Sequence, residues 1–116
     1  MPVRRIITAV AVTAATLLGL TGTAAASGEV RVPGARLTWD TPTHTFTLYD
    51  TADDGYAVYA RWQVEGGPVS IGYNRGGPGF AVRTHVSTAT GLVITYQVCV
   101  DTPAQDVCSQ TRVDRT

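Results

Sequence analysis

The sequence predicts an all-β chain folded as a small antiparallel two-sheet sandwich. Three observations predict it. Stretches of alternating apolar and polar residues recur, with turn signals about every 8–12 residues. No helical period follows residue 26. The only two cysteines, Cys99 and Cys108, fall in the last pair of alternating stretches, where they clamp a C-terminal hairpin. A small closed barrel is the alternative that the same pattern allows.

Residues 1–26 read as an export signal. Arg4 and Arg5 give a positive start, residues 6–20 are mostly apolar and uncharged, and Ala24 and Ala26 stand at the spacing a signal peptidase requires. Thr8, Thr13 and Thr16 interrupt the apolar run, which is shorter than the ~20 residues of a membrane span. Cleavage is expected to leave an extracellular protein free of the membrane. Residues 27–34 read equally as a first strand or as a flexible leader, and residues 35–116 hold the sandwich domain. From Ser27 onward seven arginines stand against nine acids, with no lysine, a net charge of about −2. Such a balance gives no pull toward nucleic acid or anionic lipid.

The elements follow in order. Residues 28–32 and 35–39 are extended and are separated by Pro33-Gly34. Asp40, Thr41, Pro42 and Thr43 form a turn. Residues 45–49 alternate, with Phe46 and Leu48 on one face. Asp50 to Gly55 is a polar loop. Residues 56–65 give the longest alternation, with Tyr56, Val58, Ala60, Trp62 and Val64 on one face and Ala57, Tyr59, Arg61, Gln63 and Glu65 on the other. Gly66, Gly67 and Pro68 turn the chain into residues 69–73, a strand weakened by Gly72. Residues 74–79 are a glycine-rich turn. Phe80, Val82, Thr84 and Val86 share a face of the next strand, and residues 92–101 and 106–114 form the terminal hairpin. The expected core is Phe46, Leu48, Val58, Trp62, Val82, Ile94, Tyr96 and Val98, with Trp62 as its anchor.

In the hairpin, pairing Asp101 with Asp106 sets Cys99 directly opposite Cys108. Opposed residues at a non-hydrogen-bonded position lie ~4.5 Å apart at Cα, within disulfide range. Ile94, Tyr96, Val98 and Val100 make the apolar face, and the same register turns Val107, Ser109, Thr111 and Val113 toward it. Cys108, Gln110, Arg112 and Asp114 then share the wet face with the bridge.

Little in the sequence carries chemistry. His44 and His85 are the only histidines, and a metal site needs three or four convergent ligands. No serine stands in a nucleophile-elbow motif, so a small hydrolase is disfavoured. Asp50, Asp53 and Asp54 are the densest acidic cluster and lack the EF-hand spacing. A solvated turn with its aspartates on local amides accounts for them, and a looser calcium site is the alternative. No catalytic residue and no cofactor is assigned. Outward Tyr59, Arg61 and Gln63, with Tyr49, make a candidate binding surface, because interfaces favour tyrosine and arginine. Tyr73 extends it if its strand takes the other register.

The strand 56–62 followed by Tyr96 resembles fibronectin type III and immunoglobulin-like sandwiches. Tyr96 precedes Cys99 by three residues, not two, and Cys108 lies in the adjacent strand, so the immunoglobulin disulfide pattern is absent. That resemblance implies a fold and no function. The whole chain is more similar to uncharacterised small secreted β-domain proteins of streptomycetes and related actinobacteria. The likeness rests on Ala52-Asp53-Asp54-Gly55 leading into residues 56–62, the turn 74–79, and residues 98–108. It implies secretion and fold and brings no catalytic residue. The expected function is a binding or interaction module at the cell wall or in the medium, its partner a secreted protein or a wall polysaccharide. The alternatives are an enzyme inhibitor presenting the loop 102–105, or a structural protein that self-associates through an unprotected edge strand.

Overall fold

The computed structural model describes residues 27–116, and the export signal read at residues 1–26 lies outside the described residues. Nine strands follow in order: β1 (Ser27–Val32), β2 (Ala35–Asp40), β3 (Thr45–Asp50), β4 (Val58–Val64), β5 (Val69–Asn74), β6 (Ala81–His85), β7 (Val93–Val100), β8 (Val107–Cys108) and β9 (Arg112–Arg115). They make a β-sandwich of two antiparallel sheets. One has the order β1-β2-β3-β6; the other runs β5-β4-β7, with β8 and β9 both paired to the far side of β7.

Of the two readings of residues 27–34, the strand is the one seen. β1 and β2 form a hairpin with Val32 opposite Ala35. Pro33 and Gly34 make the turn, and Gly34 supplies a φ of 98° that L-residues avoid.

The core lies between the sheets. Phe46 sits at its centre, with ring centroids 4.6 Å from Trp39, 5.1 Å from Trp62 and 5.2 Å from Tyr96. Phe46, Leu48, Val58, Ile94, Tyr96 and Val98 are buried as expected. Trp62 and Val82 are only half-buried. Both face inward near β5, whose inward residues Ser70 and Gly72 are too small to cover them. A Cβ added at Gly72 would lie 3.4 Å from the Trp62 ring. The anchor is Trp39, which is fully buried. Its Nε1–H donates to Thr41 Oγ1 and to the Arg115 carbonyl, both at 3.1 Å, tying β2 to β9 across the sandwich. Tyr56 and Phe80 fall in loops instead of on inward strand positions, and Phe80 is 61% exposed.

Cys99 does pair with Cys108, with Cα atoms 4.0 Å apart. Beyond it the register shifts: Tyr96 lies opposite Arg112 and Ile94 opposite Asp114. Three residues of one strand thus face two of the other, which is a β-bulge at residues 109–111. Ser109 holds the bulge. Its amide donates to the Val98 carbonyl at 2.8 Å, and its Oγ accepts the Val98 N–H at 3.0 Å. The consequence overturns the expected faces of the last strand. Arg112 and Asp114 turn inward, and Val113 points out at 60% exposure.

The sandwich therefore has two unlike lateral sides. On one, β1 lies beside β9, and Asp114 accepts hydrogen bonds from Tyr96 Oη and Arg112 Nε. This cluster presses on Gly28, where an added Cβ would overlap the Tyr96 hydroxyl and the Asp114 carboxylate. On the other side β5 lies beside β6, and neither has a further strand beyond it among the described residues.

Candidate functional site

The outer face of the five-stranded sheet is built in rows. In the first, Tyr73, Tyr59, Cys99 and Cys108 stand side by side across β5, β4, β7 and β8. Tyr59 and Tyr73 pack with centroids 5.1 Å apart, and the Arg75 guanidinium lies 4.1 Å above the Tyr73 ring. Tyr59 Oη donates to Asp106 Oδ2 at 2.5 Å, past the disulfide. This hydrogen bond and the burial of the ring push the phenol up to about 12. Cys99, expected on the wet face, is on that face but is sealed from water at 1% exposure. Its row neighbour Tyr59 has closed over it, so a small satellite cluster stabilises the outside of the sheet.

The second row is Ile71, Arg61 and Gln97, and the third is Val69, Gln63, Thr95 and Val113. Arg61 Nη1 reaches Gln97 Oε1 at 3.5 Å and forms no ion pair among the described residues. Gln63 Nε2 donates to the Gly67 carbonyl at 2.9 Å. Arg61, Gln63, Val69, Thr95, Gln97 and Thr111 line a shallow cavity of about 200 Å³. Beside it Val69, Ile71 and Tyr73 are 48%, 53% and 37% exposed.

Three of the four surface residues read from sequence thus come together, since Tyr59, Arg61 and Gln63 occupy successive outward positions of β4. Tyr49 does not join them. It stands on the outer face of the other sheet, opposite Arg36, whose guanidinium lies 4.1 Å above its ring. Tyr59 is also the least accessible of the three, at 9%. Val69 and Ile71 were missed. Their alternation with Tyr73 was visible, but the face it occupies depends on the loop length that sets Gln63 opposite Val69.

The remaining candidates resolve into local structure. Asp50 Oδ1 accepts the Ala52 N–H at 3.2 Å, and Asp54 Oδ1 accepts the Tyr56 N–H at 3.0 Å. Asn74 is wholly buried. Its Nδ2 donates to the carbonyls of Leu48 and Phe80, and its Oδ1 accepts the Gly76 N–H at 3.0 Å, so it fixes the glycine turn to β3. His44 and His85 lie together at one end, with ring centroids 6.5 Å apart, and Trp39 stacks on His44 at 6.2 Å. His85 Nδ1 contacts the Thr43 carbonyl at 3.1 Å. No three His, Cys, Asp or Glu side chains converge among the described residues. In the loop 102–105, Thr102 Oγ1 donates to the Gln105 carbonyl at 2.5 Å.

No protein-family model matches this chain, and no curated protein matches it. The geometry of the site stands on its own.

Proposed function

We propose that this chain is a secreted interaction module that binds a protein partner through the outer face of its five-stranded sheet. One observation carries the reading. Exposed Val69, Ile71 and Tyr73 stand in rows with Gln63, Arg61 and Tyr59; Arg61 has no ion pair among the described residues, and Arg61, Gln63 and Val69 line a shallow cavity. Apolar anchors beside an exposed arginine and a side-chain amide are what protein interfaces use. A wall polysaccharide is the weaker fit, because sugars stack on open aromatic faces. Tyr73 and Tyr49 each already carry an arginine, and Tyr59 is buried.

Secretion is supported by the charge, apolar run and small residues of positions 1–26. An origin among small actinobacterial secreted proteins is part of the same proposal. The fold reading is that of a fibronectin type III or immunoglobulin-like sandwich. Its support is strand order: β2-β3-β6 against β5-β4-β7-β9 follows the A-B-E and C′-C-F-G pattern of such domains, with β1 added before it.

The test is affinity capture. Protein recovered from the medium of expressing cells, its N-terminus read by mass spectrometry, is immobilised and offered secreted and wall fractions. It is expected to retain a protein partner that the Arg61→Ala/Gln63→Ala double variant binds about tenfold or more weakly. A partner held equally by both forms would remove the outer face from the reading.

A further inference from the structure

We infer that two copies of this chain pair edge to edge through β5, antiparallel about a two-fold axis at Ile71, so that their five-stranded sheets run on as one. Two hydrogen bonds fix the direction of the peptide groups along β4. The Glu65 amide donates to the Val93 carbonyl, and the Asp101 amide donates to the Ala57 carbonyl, both at 2.9 Å. Odd-numbered peptide groups of β4 therefore face β7, and even-numbered ones face β5. The pairs Val58–Asn74, Ala60–Gly72 and Trp62–Ser70 are then the hydrogen-bonded ones. It follows that β5 turns the N–H and C=O groups of Val69, Ile71 and Tyr73 to its outer edge. No strand among the described residues takes them.

Sheets protect such an edge with charge, proline or a bulge. β5 has none of these: its six residues, VSIGYN, are uncharged, and its register with β4 is unbroken. The other edges of more than two residues are defended. β1 carries Glu29 and Arg31, β6 carries Arg83, and β9 carries Arg112, Asp114 and Arg115.

The occupant that fits is a second copy. A two-fold axis at Ile71 sets Ile71 against its own mate and Val69 against Tyr73, an aromatic–β-branched pair of the kind that stabilises antiparallel strands. In such an isologous contact only the residue on the axis meets itself, and none of the six β5 residues brings a charge that the pairing would have to strip of water. Exposed apolar surface concentrates on this side, where Phe80, in the loop just before β6, lies beside the end of β5 and accepts a hydrogen bond from Asn74 at its carbonyl. A six-residue edge falls short of the ~800 Å² per partner of a standard interface, so the pairing is weak and set by concentration. It extends the outer face without covering it, and it stands independently of the binding reading above.

Sedimentation equilibrium of the protein as recovered from expressing cells, from micromolar to millimolar concentration, tests this. The weight-average mass is expected to rise toward twice the monomer. Ile71→Pro removes an N–H that points away from β4, and Ile71→Lys places like charges together at the axis. Both are expected to stay monomeric with unchanged far-ultraviolet circular dichroism. If the proline variant misfolds, the lysine variant decides. Val113→Lys, on the far edge, is expected to dimerise as the wild type does. A wild type that stays monomeric throughout overturns the inference, as it would if this edge took an extended segment of another protein. A dimer that survives Ile71→Lys overturns it too.

Discussion

The Tyr59 hydroxyl reaches from β4 to Asp106 and closes a ring over the buried half of the disulfide. Its titration reports on that closure. In the unfolded chain the phenol has its ordinary value of 10.0, and in the folded chain the Asp106 hydrogen bond, then burial, raise it to about 12. A folded value above the unfolded one favours the neutral phenol. The stability it adds is whole below pH 10 and is lost as pH rises through about 12. Tyr96 adds to the same alkaline loss, its phenol raised chiefly by burial and next by its hydrogen bond to Asp114. Asp106→Asn is expected to move the late phase of the tyrosinate absorbance titration to lower pH. An unchanged profile would mean the contact is absent in solution. At this scale the sequence was partly legible. Tyr59, Arg61 and Gln63 share a face by position alone. Nothing local says that Asp106 would fold over Tyr59, because the contact depends on which strand lies next to β7.

In the terminal hairpin the two cysteines mark their own register, so the opposition of Cys99 and Cys108 could be read from spacing. The bulge could not. Ser109, Gln110 and Thr111 are polar and suit either phase of alternation, so one added residue there leaves no trace in the pattern. It reverses every side chain after it, which is why Val113 points to water and Asp114 to the core. Ser109 stands in for a missing ladder acceptor. Ser109→Ala is expected to leave the Val98 N–H unpaired and to cost about 1–2 kcal/mol in denaturant unfolding. Reducing the disulfide is expected to lower the melting temperature by the equivalent of about 2–3 kcal/mol at most, with the fold retained. Equal melting curves with and without reductant would show that the bulge and the Tyr59 contact hold the hairpin unaided.

For the whole molecule, the all-β class and the two-sheet arrangement were legible because alternation reports burial on one face. The order of strands within each sheet was not, because it is decided by contacts between distant segments. That order makes the two lateral sides of the sandwich differ. Gly28 closes the polar side against Tyr96, Arg112 and Asp114. Gly28→Ala is expected to destabilise by about 1–3 kcal/mol, a fall of about 4–8 °C in Tm for each kcal/mol in a domain of this size. A melting temperature within one degree of wild type would mean that β1 can draw away at little cost. Strand order also divides the two tryptophans. Trp39 is sealed in the centre with its N–H bonded to Thr41 in the turn after β2 and to Arg115 of β9, whereas Trp62 stands half-open against Gly72 of β5. Their emission should therefore differ in colour and in access to quenchers. With Trp39 replaced by Phe, the remaining indole becomes an optical probe seated directly behind β5, able to register a strand docking on that edge without any added label.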